Sequence, residues 1–145
     1  MAQKKDVLFQ HIEQLVQYLG YLEVLKSKCC SLSMVQSTVI LAIGRASQLS
    51  VNGLAELLRL DKSTASRHIT NLVDLGYVVR TESQEDRRYF VLTLTEQGKG
   101  TYKIIEDVTK QYYDTIFEKM KAEDKHMLQQ GLSALLVAIK ESDCC

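Results

Sequence analysis

At 145 residues, 46% apolar and 25% charged, the chain is long enough for one core with helical extensions and too apolar to stay unfolded. Lysine plus arginine and aspartate plus glutamate balance at 18 each, which excludes a global field drawing the protein to nucleic acid or membrane; attraction to a polyanion has to be local. No apolar run approaches the roughly 20 residues of a bilayer span, and Met1–Asp6 adjoins no signal-type apolar core, so the expectation is a cytoplasmic protein without a membrane partner.

From about Asp6 to Lys26, Leu8, Ile12, Leu15, Leu19 and Leu22 alternate steps of four and three, the seam of a long helix. A stripe so narrow at a chain end is expected to pack partly against another subunit. Gly20 interrupts this helix and is expected to mark close packing. Residues 26–32 break the pattern. Ser33 with Gln36 then has the form of a capping box, opening a helix through Val35, Val39, Ile40 and Ile43 that ends near residues 45–47.

Ser50 is placed to cap a short helix over Val51–Leu58, Arg59-Leu60 forms a tight turn, and Asp61 is placed to cap the next helix. In that helix Ala65, Ile69, Leu72 and Val73 share one face, while Lys62, Ser63, Ser66, Arg67 and Thr70 point away from it. The outward side from Lys62 to Asn71 carries cations, hydroxyls and amides, a mixture matched to duplex phosphates and base edges. Gly76 suits a left-handed helix ending, after which Tyr77–Thr81 and Tyr89–Leu94 read as strands joined by a polar tip, Glu82–Arg88. Together these segments predict a helix-turn-helix followed by a β-hairpin wing.

Thr95 is placed to cap a helix running to about Met120, with Ile105, Val108, Tyr112, Ile116 and Met120 along one side and Tyr102 and Tyr113 elsewhere on its surface. A last helix over about residues 122–140 is apolar at Met127, Leu128, Leu132, Leu135, Leu136 and Ile139. The expected fold is mainly α with a small β-hairpin. It divides into an N-terminal association helix and connector (1–32), a winged helix-turn-helix domain (33–95) and C-terminal association helices (96–145).

The order of parts resembles the MarR family (multiple antibiotic resistance regulators) of winged helix-turn-helix transcriptional regulators. The resemblance rests on Leu54-Ala-Glu-Leu57, Leu60-Asp-Lys-Ser-Thr-Ala-Ser-Arg67, Leu72-Val-Asp-Leu-Gly-Tyr77, Glu85-Asp-Arg-Arg88 and Leu92-Thr-Leu-Thr-Glu-Gln-Gly98. It implies an obligate homodimer whose terminal helices interlock, and whose wings straddle a pseudo-palindromic operator in double-stranded DNA. The expected role is that of a repressor released by an effector. By matching position, Lys62, Ser63, Thr64, Ser66, Arg67 and His68 face the major groove. Arg88 fits the arginine that enters the minor groove, Arg87 lies on phosphate, and Asp86 orients the guanidinium; the two arginines are able to exchange roles. Physically, a carboxylate two residues earlier fixes the arginine fork before binding and reduces the entropy lost.

Four cysteines sit as two adjacent pairs, Cys29-Cys30 and Cys144-Cys145. Bonding within a pair strains the short ring it closes, so partners are expected from the other pair, possible within the helical module that the resemblance implies. With few nearby histidines, such thiols suit zinc, copper(I) or arsenite. The alternatives are inter-pair disulfides, no sensing role at all, or a small aromatic effector bound without any cysteine. No cofactor is required on this reading. His11 and His126 read as ordinary surface or packed histidines. Catalysis is not expected, because no glycine-rich phosphate loop, nucleophile motif or carboxylate pair is present. A winged-helix module that binds proteins instead of DNA is the alternative of another class.

Overall fold

The computed structural model describes residues 2–142, with side chains over 5–142. Cys144 and Cys145 lie outside the described residues. Six helices and three strands follow the order α1 (Ala2–Cys30), α2 (Met34–Ala46), β1 (Leu49–Ser50), α3 (Val51–Leu58), α4 (Lys62–Asp74), β2 (Val78–Glu82), β3 (Phe90–Leu94), α5 (Glu96–Phe117) and α6 (Ala122–Glu141). No single helix among the described residues is long and apolar enough to cross a membrane.

Two compact units divide within α5, the first ending at Thr109 and the second starting at Lys110. In the first, the core is assembled around α2, whose Val39, Ile40 and Ile43 are fully buried. Leu54 of α3, Ile69 and Leu72 of α4, Val78, Leu92 and Ile105 close over them in one cluster. Helix α4 therefore has no freedom of rotation about its axis: turning it would expose Ile69, and removing that side chain to alanine costs about 2–5 kcal/mol.

Caps fix where each helix starts and stops. Ser33 and Gln36 form the expected capping box, Gln36 N–H to Ser33 Oγ at 3.2 Å and Ser33 N–H to Gln36 Oε1 at 2.7 Å. Ser50 Oγ accepts the Gly53 N–H at 2.9 Å. At the turn between α3 and α4, Arg59 sits at φ 52 and the Leu60 N–H reaches back to the Ala55 carbonyl at 2.9 Å, a left-handed helix ending on a non-glycine residue. Gly76, at φ 82, ends α4 in the same manner, with Tyr77 N–H on the Leu72 carbonyl at 2.9 Å.

Some expectations need correction. The apolar pattern breaks at residues 26–32, but helical hydrogen bonding carries α1 through to Cys29 and Cys30, the helix end expected for that pair, and Ser31 at φ 55 turns the chain. Gly20 faces open space, with nothing within 4 Å of an added Cβ, so it permits no close packing within this chain. Within α4, Val73 is exposed while Ala65, Ile69 and Leu72 are buried. Helix α5 ends at Phe117 instead of Met120. Tyr102 packs against the core cluster, its ring in the space a side chain at Gly44 would need. Burial, and then hydrogen bonding to Glu106, pushes its phenol upward.

The wing is a three-stranded antiparallel sheet in the order β1-β3-β2. β2 pairs with β3 from Val78↔Leu94 to Glu82↔Phe90, and the two-residue β1, absent from the sequence expectation, adds Leu49↔Leu92 and Ser50↔Val91. Thr95 locks the wing to α5. Its N–H donates to the Tyr77 carbonyl at 3.1 Å, its hydroxyl donates to the Gly76 carbonyl at 2.6 Å, and that hydroxyl oxygen accepts the Gly98 N–H at 3.0 Å.

In the second unit, the end of α5 precedes α6, and Tyr113 stacks on Phe117 with ring centroids 5.8 Å apart. No described residue of α6 is buried. Its apolar row, Leu128, Leu132, Leu135, Leu136 and Ile139, is solvent-exposed.

Candidate nucleic-acid interface

The N-terminus of α4 is organised by one carboxylate. Asp61 Oδ1 accepts from the Thr64 N–H at 2.8 Å and from the Ser63 hydroxyl at 2.6 Å, and Oδ2 accepts the Thr64 hydroxyl at 2.6 Å. These bonds, led by those from Ser63 and Thr64, hold the Asp61 carboxyl well below the usual carboxylate range. A consequence follows for recognition. With their hydrogens committed to Asp61, Ser63 and Thr64 offer outside partners only acceptor lone pairs.

Lys62, Ser63, Arg67, Thr70 and Asn71 are exposed, whereas Thr64, Ser66 and His68 are half-buried. Ser63, Ser66, Arg67, Thr70, Asn71 and Asp74 line one shallow open depression along the helix. Of the candidate positions Lys62, Ser63, Thr64, Ser66, Arg67 and His68, it takes in Ser63, Ser66 and Arg67. Thr70, Asn71 and the acidic Asp74 belong to it. Their signal was in the sequence, since 63, 67, 70 and 74 are separated by four, three and four.

At the wing tip, Ser83 Oγ accepts the N–H groups of Glu85 and Asp86, and Asp86 Oδ1 accepts the Arg88 N–H at 3.0 Å and its Nε–H at 3.3 Å. The Arg88 side chain is 88% exposed and that of Asp86 39%. So exposed a pair adds little to stability, and its effect is to aim the guanidinium outward from the hairpin. Arg87 is exposed beside it. Arg80 supports the strand below, its guanidinium 4.4 Å from the Phe90 ring centroid. Helix α4 and this tip belong to the same compact unit.

The model of the MarR family matches residues 31–88, which run from the turn before α2 to the arginine at the wing tip. Over that stretch, 58 of the 145 residues, the chain is similar to the MarR family. A curated relative from Clostridium symbiosum, the HTH-type transcriptional regulator BilQ, is 27% identical over 106 residues, covering 73% of each chain. Among solved structures, Streptococcus pneumoniae FabT in complex with DNA superposes with a TM-score of 0.81 at 21% identity, over 93% of this chain and 99% of that one. A MarR family regulator from Listeria monocytogenes complexed with 26mer DNA gives 0.78 at 20% identity, over 92% and 89%. The relatives matched in this way are transcriptional regulators.

Of the other expected site residues, Cys29 is exposed and Cys30 half-buried at the end of α1. Among the described residues, no group of three or more histidine, cysteine, aspartate or glutamate side chains is placed to hold a metal ion.

Proposed function

We propose that this chain is a MarR-family regulator that binds a pseudo-palindromic operator in duplex DNA as a homodimer and acts as a repressor, with α4 in the major groove and Arg88 in the adjoining minor groove. One observation carries the reading: an exposed polar face of α4 and an arginine steered by Asp86 are held on one compact unit. That two relatives of this fold were crystallised with DNA supports it. Dimerisation is supported by the uncovered apolar row of α6 and by the exposed Leu8 and Leu15 of α1, surfaces that a lone subunit leaves in water. Release by an effector belongs to the same reading. An open cleft of ≈ 470 Å³ lined by Ile43, Gly44, Thr93, Leu94, Lys99 and Tyr102 falls within the roughly 300–1,000 Å³ range of small-molecule pockets.

The test is selection of binding sites from random duplexes, followed by anisotropy titration of the enriched site over a salt series. Arg88→Ala should weaken binding and flatten the logarithmic salt slope by about one unit. Failure to enrich any duplex, or a slope unchanged by the substitution, defeats the reading and leaves the protein-binding alternative.

A further inference from the structure

Helix α1 ends in a way that brings its last two side chains together. The Leu32 N–H donates to the Ser27 carbonyl at 3.3 Å and Ser31 lies in the left-handed region at φ 55, so the helix closes with Cys29 and Cys30 as its last two residues. In this arrangement the two sulfurs lie 3.1 Å apart. Cys29 is exposed, and its thiol donates to the Lys26 carbonyl at 3.0 Å; Cys30 packs on the core cluster that also contains Leu32, Val39 and Leu72. An inert core cysteine accounts for Cys30 but not for Cys29.

The sulfur spacing selects among thiophilic partners. With bonds of about 2.3 Å, two sulfurs in line across an ion stand about 4.6 Å apart, whereas two at a near-right angle stand about 3.3 Å apart. The observed separation fits the second case. No third ligand is assembled beside the pair among the described residues, so a suitable centre brings its own third substituent. A disulfide would require the sulfurs to approach by about 1 Å, to the ~2.05 Å of an S–S bond, across adjacent residues.

We propose that Cys29 and Cys30 form a two-thiol site for a monosubstituted trivalent arsenical, bound without the C-terminal cysteines. The step balances without an oxidant. The arsenic–oxygen double bond of R–As=O breaks, two As–S bonds form, and both thiol protons leave with the oxygen as water, arsenic remaining trivalent. Burial, and then the neighbouring Cys29, pushes the Cys30 thiol up to about 12, which keeps it protonated and disfavours thiolate oxidation. The bridged ring would sit where α1 turns into α2, against the cluster that seats α4. Coupling of occupancy to DNA affinity rests on the proposed function, but the site itself does not.

Phenylarsine oxide is the probe, with the full chain carrying Cys144→Ser and Cys145→Ser, read by intact mass and thiol titration. One phenylarsenic unit should add while two titratable thiols disappear; 2-mercaptoethanol should leave it in place and 1,2-ethanedithiol should remove it. Adding Cys29→Ser, an exposed and nearly isosteric change, should weaken capture by about a hundredfold or more, since the second bond is then lost. Capture no tighter in the Cys29-Cys30 chain than in the Cys29→Ser chain, or uptake confined to chains that retain the tail cysteines, overturns the proposal. No DNA enters the measurement, so its failure is separable from failure of the regulator reading.

Discussion

Gln36 Nε2 donates to Asn71 Oδ1 at 2.5 Å, joining the first turn of α2 to the last turns of α4 across 35 residues of sequence. The same side chain accepts the Ser33 N–H with its oxygen, so one amide both starts α2 and braces α4. Asn71 lines the α4 depression, which makes the brace relevant to what that face contacts.

Gln36→Ala should lower stability by about 1 kcal/mol, the scale of a helix cap or one hydrogen bond, read as a reduced urea midpoint. Gln36→Glu keeps the cap acceptor and should recover part of that loss. Equal midpoints for all three proteins would show that the brace contributes nothing.

Asp86 poses a question of sign. Removing a carboxylate near DNA strengthens electrostatic attraction, while losing its hold on Arg88 costs about 1 kcal/mol of side-chain ordering, roughly fivefold in Kd. Asp86→Ala should therefore weaken binding to the selected duplex without flattening the salt slope. Asp86→Asn retains an acceptor for the Arg88 N–H and should bind at least as tightly as the parent. Tighter binding by the alanine variant would remove the steering role.

Asp61 links the α4 cap to pH. Its folded pKa is depressed, so its contribution is fully present above the unfolded value of about 3.9 and fades as pH falls through the folded value. Urea midpoints of the parent and Asp61→Ala should differ clearly at pH 7, and the gap should narrow by pH 3. A gap of constant size would mean that the ionised carboxylate is not what caps α4.

Gly98 and Gly44 are both small for steric reasons, with different consequences. A Cβ at Gly98 would strike the Tyr77 carbonyl oxygen, which is fixed by its bond from the Thr95 N–H. A Cβ at Gly44 would first meet the Tyr102 ring, a side chain. Gly98→Ala should cost about 1–3 kcal/mol with no side-chain change able to restore it, whereas Gly44→Ala should be recovered in part by Tyr102→Leu. Thermal melts of the two single variants and the double variant decide this.

Read from left to right, the sequence by itself determined the helix starts at Ser33, Ser50 and Asp61, the buried Ala65, Ile69 and Leu72, and the Asp86–Arg88 pairing. Each depends on groups within a few residues of one another, whose geometry the backbone period fixes. Only the tertiary structure decided that Val73 faces water, that Tyr102 fills the space beside Gly44, that β1 joins the wing and that Asn71 is braced by Gln36. Those depend on which distant surfaces arrive at the same place. The meeting of Cys29 with Cys30 belongs with them, since it occurs at a helix end that Ser31 turns and from which Leu32 enters the core.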